Sequence, residues 1–174
     1  GTYHDYVRPA LSARELSVWR TFLRAHASIT RQMEHDLAER HMLPLPSYDV
    51  LLQLAESPQR RLRMTDLADR VLLSRSGLTR LVDRLSREGL VERESCPSDA
   101  RGTFTVITDK GLARLREAAP THLAGIQEHV TSRLTPTELD TFGRLLRKLL
   151  PESDAVPVGG CAPAAEPDET AVAG

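Results

Sequence analysis

A chain of 174 residues with 27% charged residues and a formal net charge of −1 is sized for one domain, or for a small unit inside a helical scaffold. Its near-neutral balance excludes a bulk electrostatic binder, and its two cysteines exclude a disulfide framework. No apolar run approaches the roughly eighteen residues of a membrane span and no N-terminal stretch reads as a signal peptide, so a soluble, cytoplasmic protein without a membrane partner is expected.

The first predicted helix runs from Leu11 to about Arg40, where Trp19, Phe22, Ile29, Met33 and Leu37 recur near a 3.6-residue period. Leu43-Pro44-Leu45-Pro46 ends it, because proline cannot continue a helix. Ser47 is expected to cap a second helix from Tyr48 to about Glu56, which Ser57-Pro58 closes. Arg60-Arg61-Leu62-Arg63 leads into a short helix over Thr65–Val71, followed by a turn at Leu72-Leu73-Ser74.

Ser74 then caps a helix whose Leu78, Leu81, Val82 and Leu85 form one apolar stripe. At about 100° per residue the other side collects Ser76, Thr79, Arg80, Asp83, Arg84 and Arg87, with Arg75 at the N-terminal end. Gly89 stops the helix. Two strands with alternating polarity follow, Leu90–Glu94 and Phe104–Thr108, joined by a tip that Pro97 and Gly102 bend. Thr108 caps a long helix with Leu112, Leu115, Ala119, Leu123, Ile126, Val130 and Leu134 on one stripe, and Pro120 should bend it. Thr135-Pro136-Thr137-Glu138 is a capping box with proline at the first helical position. It opens a last helix with Leu139, Phe142, Leu145, Leu146 and Leu149 on one side. From Pro151 onward Pro, Gly, Ala and acids lack periodicity, which predicts a disordered acidic tail.

Short helix, tight turn, arginine-studded helix and ribbon is the order of a winged helix-turn-helix. The face of Ser, Thr and Arg suits a DNA groove. Arginine grips guanine O6 and N7 with two hydrogen bonds, and hydroxyls reach base edges or phosphates. The candidate DNA contacts are therefore Ser74, Arg75, Ser76, Thr79, Arg80, Asp83, Arg84 and Arg87. Arg101 at the wing tip is suited to the minor groove, with Asp99 to hold its guanidinium. Residues 60–116 carry thirteen Arg or Lys against eight Asp or Glu, so the basic patch lies where the double-stranded DNA would.

These residues resemble the MarR family of bacterial transcription regulators over about residues 11–150. The carrying motifs are Leu67-Ala68, Ser76-Gly77-Leu78-Thr79-Arg80-Leu81-Val82-Asp83-Arg84-Leu85, Gly89-Leu90-Val91, Asp99-x-Arg101 and Ile107-Thr108-Asp109-Lys110-Gly111. The resemblance implies a homodimer on a palindromic operator, usually a repressor, often released by a small organic effector. The expected fold is mostly α with a small β wing. Residues 1–43 and 111–150 would form a helical dimerisation domain, 44–110 the DNA-binding domain, and 151–174 the tail. The terminal helices carry more apolar stripe than one winged helix can cover. Leu139, Phe142, Leu145, Leu146 and Leu149 are accordingly assigned to dimerisation.

Trp19, Phe22, His26 and Tyr48 are the candidate effector pocket, with Arg20 and Arg24 near enough to neutralise a carboxylate. His35 and Glu39 share a helix face, but the pattern of Glu34, His35, Asp36, Glu39, His41, His122 and His129 does not make a metal site. No glycine-rich phosphate loop, nucleophile elbow or paired carboxylates in a recognisable setting occur, so neither catalysis nor a cofactor is expected. Two alternatives stand beside the operator-binding reading. One is a redox-responsive regulator sensing through Cys96, where Arg93 and Arg101 favour a thiolate. The other is a winged helix used for protein contacts, which should carry apolar or acidic residues where this chain carries Ser, Thr and Arg.

Overall fold

The computed structural model describes residues 11–71, 73–96 and 99–150, with the backbone alone at 96 and 99–102. The chain divides into two compact units, Gly1–Arg133 and Leu134–Gly174, which are taken separately.

The first unit opens with α1, Ala13–His41. Its start is a reciprocal cap: the Ser12 hydroxyl accepts from the Glu15 amide at 3.2 Å, and the Glu15 carboxylate accepts from the Ser12 amide at 2.7 Å. The Ser12 hydroxyl also donates to that carboxylate at 2.6 Å, and this bond, then the one from the Ser12 amide, holds Glu15 below its usual carboxylate range. The helix ends where Met42 turns left-handed at φ 49° and its amide returns to Ala38 and Leu37. Helix α2, Leu45–Glu56, starts earlier than the sequence suggests. Pro44 occupies the cap position and makes no side-chain bond, and Ser47 lies inside the first turn, buried. Proline is tolerated there because the first amides of a helix have no internal partner. Leu45, Tyr48, Val50, Leu51 and Leu54 are all buried, so α2 is the central helix of the unit.

A 3-10 turn, Pro58–Arg60, then gives way to a strand that periodicity does not announce: β1, Arg61–Arg63. It converts the expected two-stranded ribbon into a three-stranded antiparallel sheet of order β1-β3-β2, once β2 (Val91–Cys96) and β3 (Asp99–Ile107) follow. Both ribbon strands run further than the alternation predicted, because antiparallel partners extend one another down to the Cys96–Asp99 register. Between β1 and β2 lie α3 (Met64–Arg70) and α4 (Arg75–Arg87). After the sheet, α5 (Asp109–His129) is capped by the Thr108 hydroxyl, which accepts from the Gly111 amide at 3.0 Å. It contains Pro120 within one helix and packs on α1 and α2. It stops at His129, so Val130 is its cap and Leu134 falls beyond a second 3-10 turn, Thr131–Arg133.

The core gathers Leu37 of α1, Leu51 and Leu54 of α2, Leu67 of α3, Leu78, Val82 and Leu85 of α4, Val91 of β2 and Ala118 of α5, each almost fully buried. Each leucine removed from water contributes roughly 1.5–3 kcal/mol, so the fold holds the base of α4 from every side. Gly111 marks the tightest approach. A β-carbon there would collide with the Leu90 carbonyl oxygen, where the first turn of α5 crosses the strand entry.

The second unit holds α6, Pro136–Arg147. Thr135 and Glu138 form the predicted capping box, which lowers the Glu138 carboxyl below its usual range through bonds to the Thr135 amide and hydroxyl. Residues 151–174, where a disordered tail is expected, lie outside the described residues. Among the described residues no helix is long and apolar enough to cross a membrane.

Candidate nucleic-acid interface

Helix α4 is held at its start by Ser74, whose hydroxyl accepts from the Gly77 amide at 3.1 Å. Leu78, Leu81, Val82 and Leu85 are buried together, so the stripe read from the sequence is the face that meets the core. That leaves Ser74, Arg75, Ser76, Thr79, Arg80, Asp83 and Arg87 exposed on the outer face. Thr79 donates to the Arg75 carbonyl at 2.9 Å, and Arg87 Nε to the Asp83 carbonyl at 3.3 Å; both bonds lie along the helix and leave the face open. The guanidinium groups of Arg75 and Arg80 point to solvent without a hydrogen bond or ion pair to another described residue.

Two residues expected on that face are tied elsewhere. The Asp83 carboxylate receives Arg93 of β2 at 2.8 Å, a link between recognition helix and wing. Arg84 is also exposed, its side chain by 44%, but one Nη donates to the buried Ser47 hydroxyl of α2 at 2.7 Å, with Glu88 at 3.9 Å. The helical wheel placed Arg84 on the polar side. It lies at the flank of the stripe, where a long side chain can reach a neighbouring helix. On the sheet, Arg61 and Arg63 stand over the Phe104 ring at 4.8 and 5.3 Å, and Arg61 pairs with Glu94 at 3.4 Å. The sequence reading missed this cluster, although the polar–apolar–polar order of Arg61-Leu62-Arg63 carries the period-two signal in its shortest form. The pairings of Ser47 with Arg84 and of Arg93 with Asp83 had no signal in the sequence, since each joins two different elements. The side chains of Cys96, Asp99 and Arg101 lie outside the described residues, and with them the wing-tip and redox expectations.

The four residues expected to line an effector pocket do not meet there. Trp19 and Phe22 stack on each other at 5.9 Å and are exposed, 54% and 39%. Tyr48 is buried with its ring 4.3 Å from His122, whose protonation burial disfavours, lowering its pKa. His26 borders a cleft of about 450 Å³, with Thr30, Arg31, Glu34, Leu45, Asp49 and Leu73 among its walls. Arg31, rather than Arg20 or Arg24, is the basic group on that wall. Glu34 accepts from the Leu45 amide at 2.7 Å, and Asp49 is pushed above the usual aspartate range by burial and then by the Glu34 charge.

The remaining histidines are dispersed in pairs: His35 with Glu39 at 3.5 Å, His129 with Asp36 at 3.5 Å, and His41 with Thr121 at 2.8 Å. Among the described residues no three His, Cys, Asp or Glu side chains converge on one point. In the second unit, α6 exposes Leu139, Phe142 and Leu145 by 37%, 40% and 48%, with Leu146 half-buried, and Leu149 just beyond the helix is 72% exposed.

Comparison with known proteins agrees with this interface. A family profile described as the MarR family matches residues 43–102, which run from just before α2 into β3. The uncharacterized HTH-type transcriptional regulator YkoM of Bacillus subtilis is 30% identical over 135 residues, covering 78% of this chain and 85% of that protein. The HTH-type transcriptional repressor YetL of the same organism is 28% identical over 148 residues, 85% of this chain and 87% of that one. A crystal structure of a MarR family transcriptional regulator from Streptomyces coelicolor in complex with DNA is 40% identical. It superposes with a TM-score of 0.75, covering 83% of this chain and 96% of that chain. Winged helix, exposed Ser/Thr/Arg face and these likenesses coincide on the same residues, and the chain belongs to the MarR family of DNA-binding transcriptional regulators.

Proposed function

We propose that this regulator acts as a homodimeric repressor on a near-palindromic operator, reading each half-site with α4. The observation that carries the reading is the outer face of α4: Arg75, Ser76, Thr79 and Arg80 are exposed and chemically matched to base edges, while the opposite stripe is anchored in the core. Arg87 and Ser74 flank that face as phosphate contacts, and Asp83 serves it by holding the wing through Arg93. Arg101, at the wing tip, supplies a minor-groove or phosphate contact with Asp99 beside it in sequence. Dimerisation is supported by the apolar surface left uncovered on α1 and on α6, since faces of this kind find a partner in water. A twofold partner sets two recognition helices about one helical turn of DNA apart, roughly 34 Å. The DNA in the Streptomyces coelicolor complex and the repressor role in the name of YetL make the same assignment reasonable here. The cytoplasm, where the DNA is, is the compartment this function requires.

The domain plan is unchanged from the sequence reading: 44–110 as the DNA-binding unit and 1–43 with 111–150 for dimerisation. Control by a small organic molecule is assigned to the cleft beside His26, whose walls come from α1, α2 and the turn before α4. A ligand there shifts DNA binding only through a difference in affinity between two arrangements of the chain. The test of the whole reading is selection from a random-sequence duplex library followed by sequencing. An enriched near-palindrome supports it, and an unsymmetrical or unenriched pool overturns the operator claim.

A further inference from the structure

Arg84 carries the same charge and lies on the same polar side of α4 as Arg80, yet the two guanidinium groups do different things. Arg80 is directed to solvent. Arg84 donates at 2.7 Å to a hydroxyl that is itself 1% exposed, Ser47 in the first turn of α2. A charged donor on a buried hydroxyl is among the stronger hydrogen bonds, and losing it strands a polar atom in the core. The bond also crosses between elements. Helix α4 is also held by its apolar stripe and by the Asp83–Arg93 ion pair to β2 at 2.8 Å. The Arg84–Ser47 bond adds a directed link from its last turns to α2. Leu45 and Asp49, two residues to either side of Ser47, border the cleft beside His26. The anchor therefore belongs to the same turn of α2 that forms part of the cleft wall.

We propose that Arg84 is a positioning residue: it sets the angle of the recognition helix against α2 through the Ser47 hydroxyl, and does not itself read DNA. This rests on α4 being the DNA-reading helix. Ser47, being buried, touches no DNA, which makes it the decisive site. Ser47→Ala removes one oxygen and keeps the helix. Arg84→Met keeps the aliphatic stem and removes the fork.

The probe is the duplex that the parent protein enriches from a random-sequence library, titrated at several salt concentrations and against its single-base variants. Ser47→Ala and Arg84→Met should each weaken binding about tenfold, and the double variant no more than either alone. The slope of log affinity against log salt and the order of base preferences should stay those of the parent, because no phosphate or base contact is lost. Arg80→Ala, measured alongside, reports on the α4 reading separately: base preference should blur there and nowhere else. Parent-like binding by Ser47→Ala overturns the proposal. So does a flattened salt slope or an altered base preference in Arg84→Met, either of which would make Arg84 a DNA contact. A blurred Arg80→Ala with those results condemns the strut alone. An Arg80→Ala that keeps every base preference condemns the reading of α4 instead.

Discussion

Asp49 is a residue whose charge state its surroundings disturb. It is half-buried, and burial together with Glu34 raises its pKa. The folded chain thus holds this proton to higher pH than the unfolded chain does. The penalty is absent below the unfolded value and fully present above the folded one, so stability falls as pH rises through that window. Asp49→Asn should raise the thermal unfolding midpoint at neutral pH and give no gain below about pH 4. Equal gains at both pH values in a melting series would remove the charge argument. Two of the arginines proposed to meet DNA, Arg80 and Arg101, make a second pair of expectations. Arg80→Ala should cost roughly 1–3 kcal/mol of operator binding and relax base preference if it grips a guanine. Arg101→Ala should weaken all sites alike and flatten the salt slope by up to about one unit if it meets a phosphate. A gel-shift series over salt separates them.

The caps and the close approaches decide how the elements join. Ser74, Thr108 and Thr135 were each legible as caps, since a hydroxyl three residues ahead of an open amide needs no tertiary partner. Ser47 was read the same way and is not a cap, because the two prolines at 44 and 46 already begin α2 and the core claims the serine. Ser74→Ala should destabilise the chain by about 1 kcal/mol, seen as a lower urea midpoint at constant slope. Gly111→Ala should do more, about 1–3 kcal/mol, because the added methyl must push α5 off the Leu90 carbonyl. The same urea titration checks it, and a parent-like midpoint would mean that α5 and β2 are free to move apart. Strand β1 went unread because three residues carry too little alternation to distinguish a strand from a connecting turn.

At the scale of the whole molecule, the proposed dimer rests on uncovered apolar faces. Trp19 and Phe22 on α1, Phe142 and Leu145 on α6, and Leu149 just beyond it are exposed in the single chain. Phe142→Glu with Leu145→Glu should give a monomer by sedimentation that has lost high-affinity operator binding, because one recognition helix reads only one half-site. A double variant that remains a dimer would exclude α6 from the interface. The order of helices was readable at this scale from periodicity alone. The division of labour between exposed aromatics was not: Trp19, Phe22 and Tyr48 look equivalent in the sequence, yet two stack in solvent and one is sealed against His122.

The sequence by itself determined the winged helix-turn-helix, its outer face and the amphipathic terminal helices. Each rests on local rules, namely a 3.6-residue stripe, a capping hydroxyl and a glycine that accepts φ 73° at position 89. Only the tertiary structure decided which polar residues on that face have partners elsewhere in the chain. Arg80 and Arg84 occupy successive turns of one helix and have the same chemistry. The difference between them is the buried hydroxyl of Ser47, 37 residues away along the chain. Directed hydrogen bonds of that range depend on where the core places two backbones, and periodicity carries no information about such a distance.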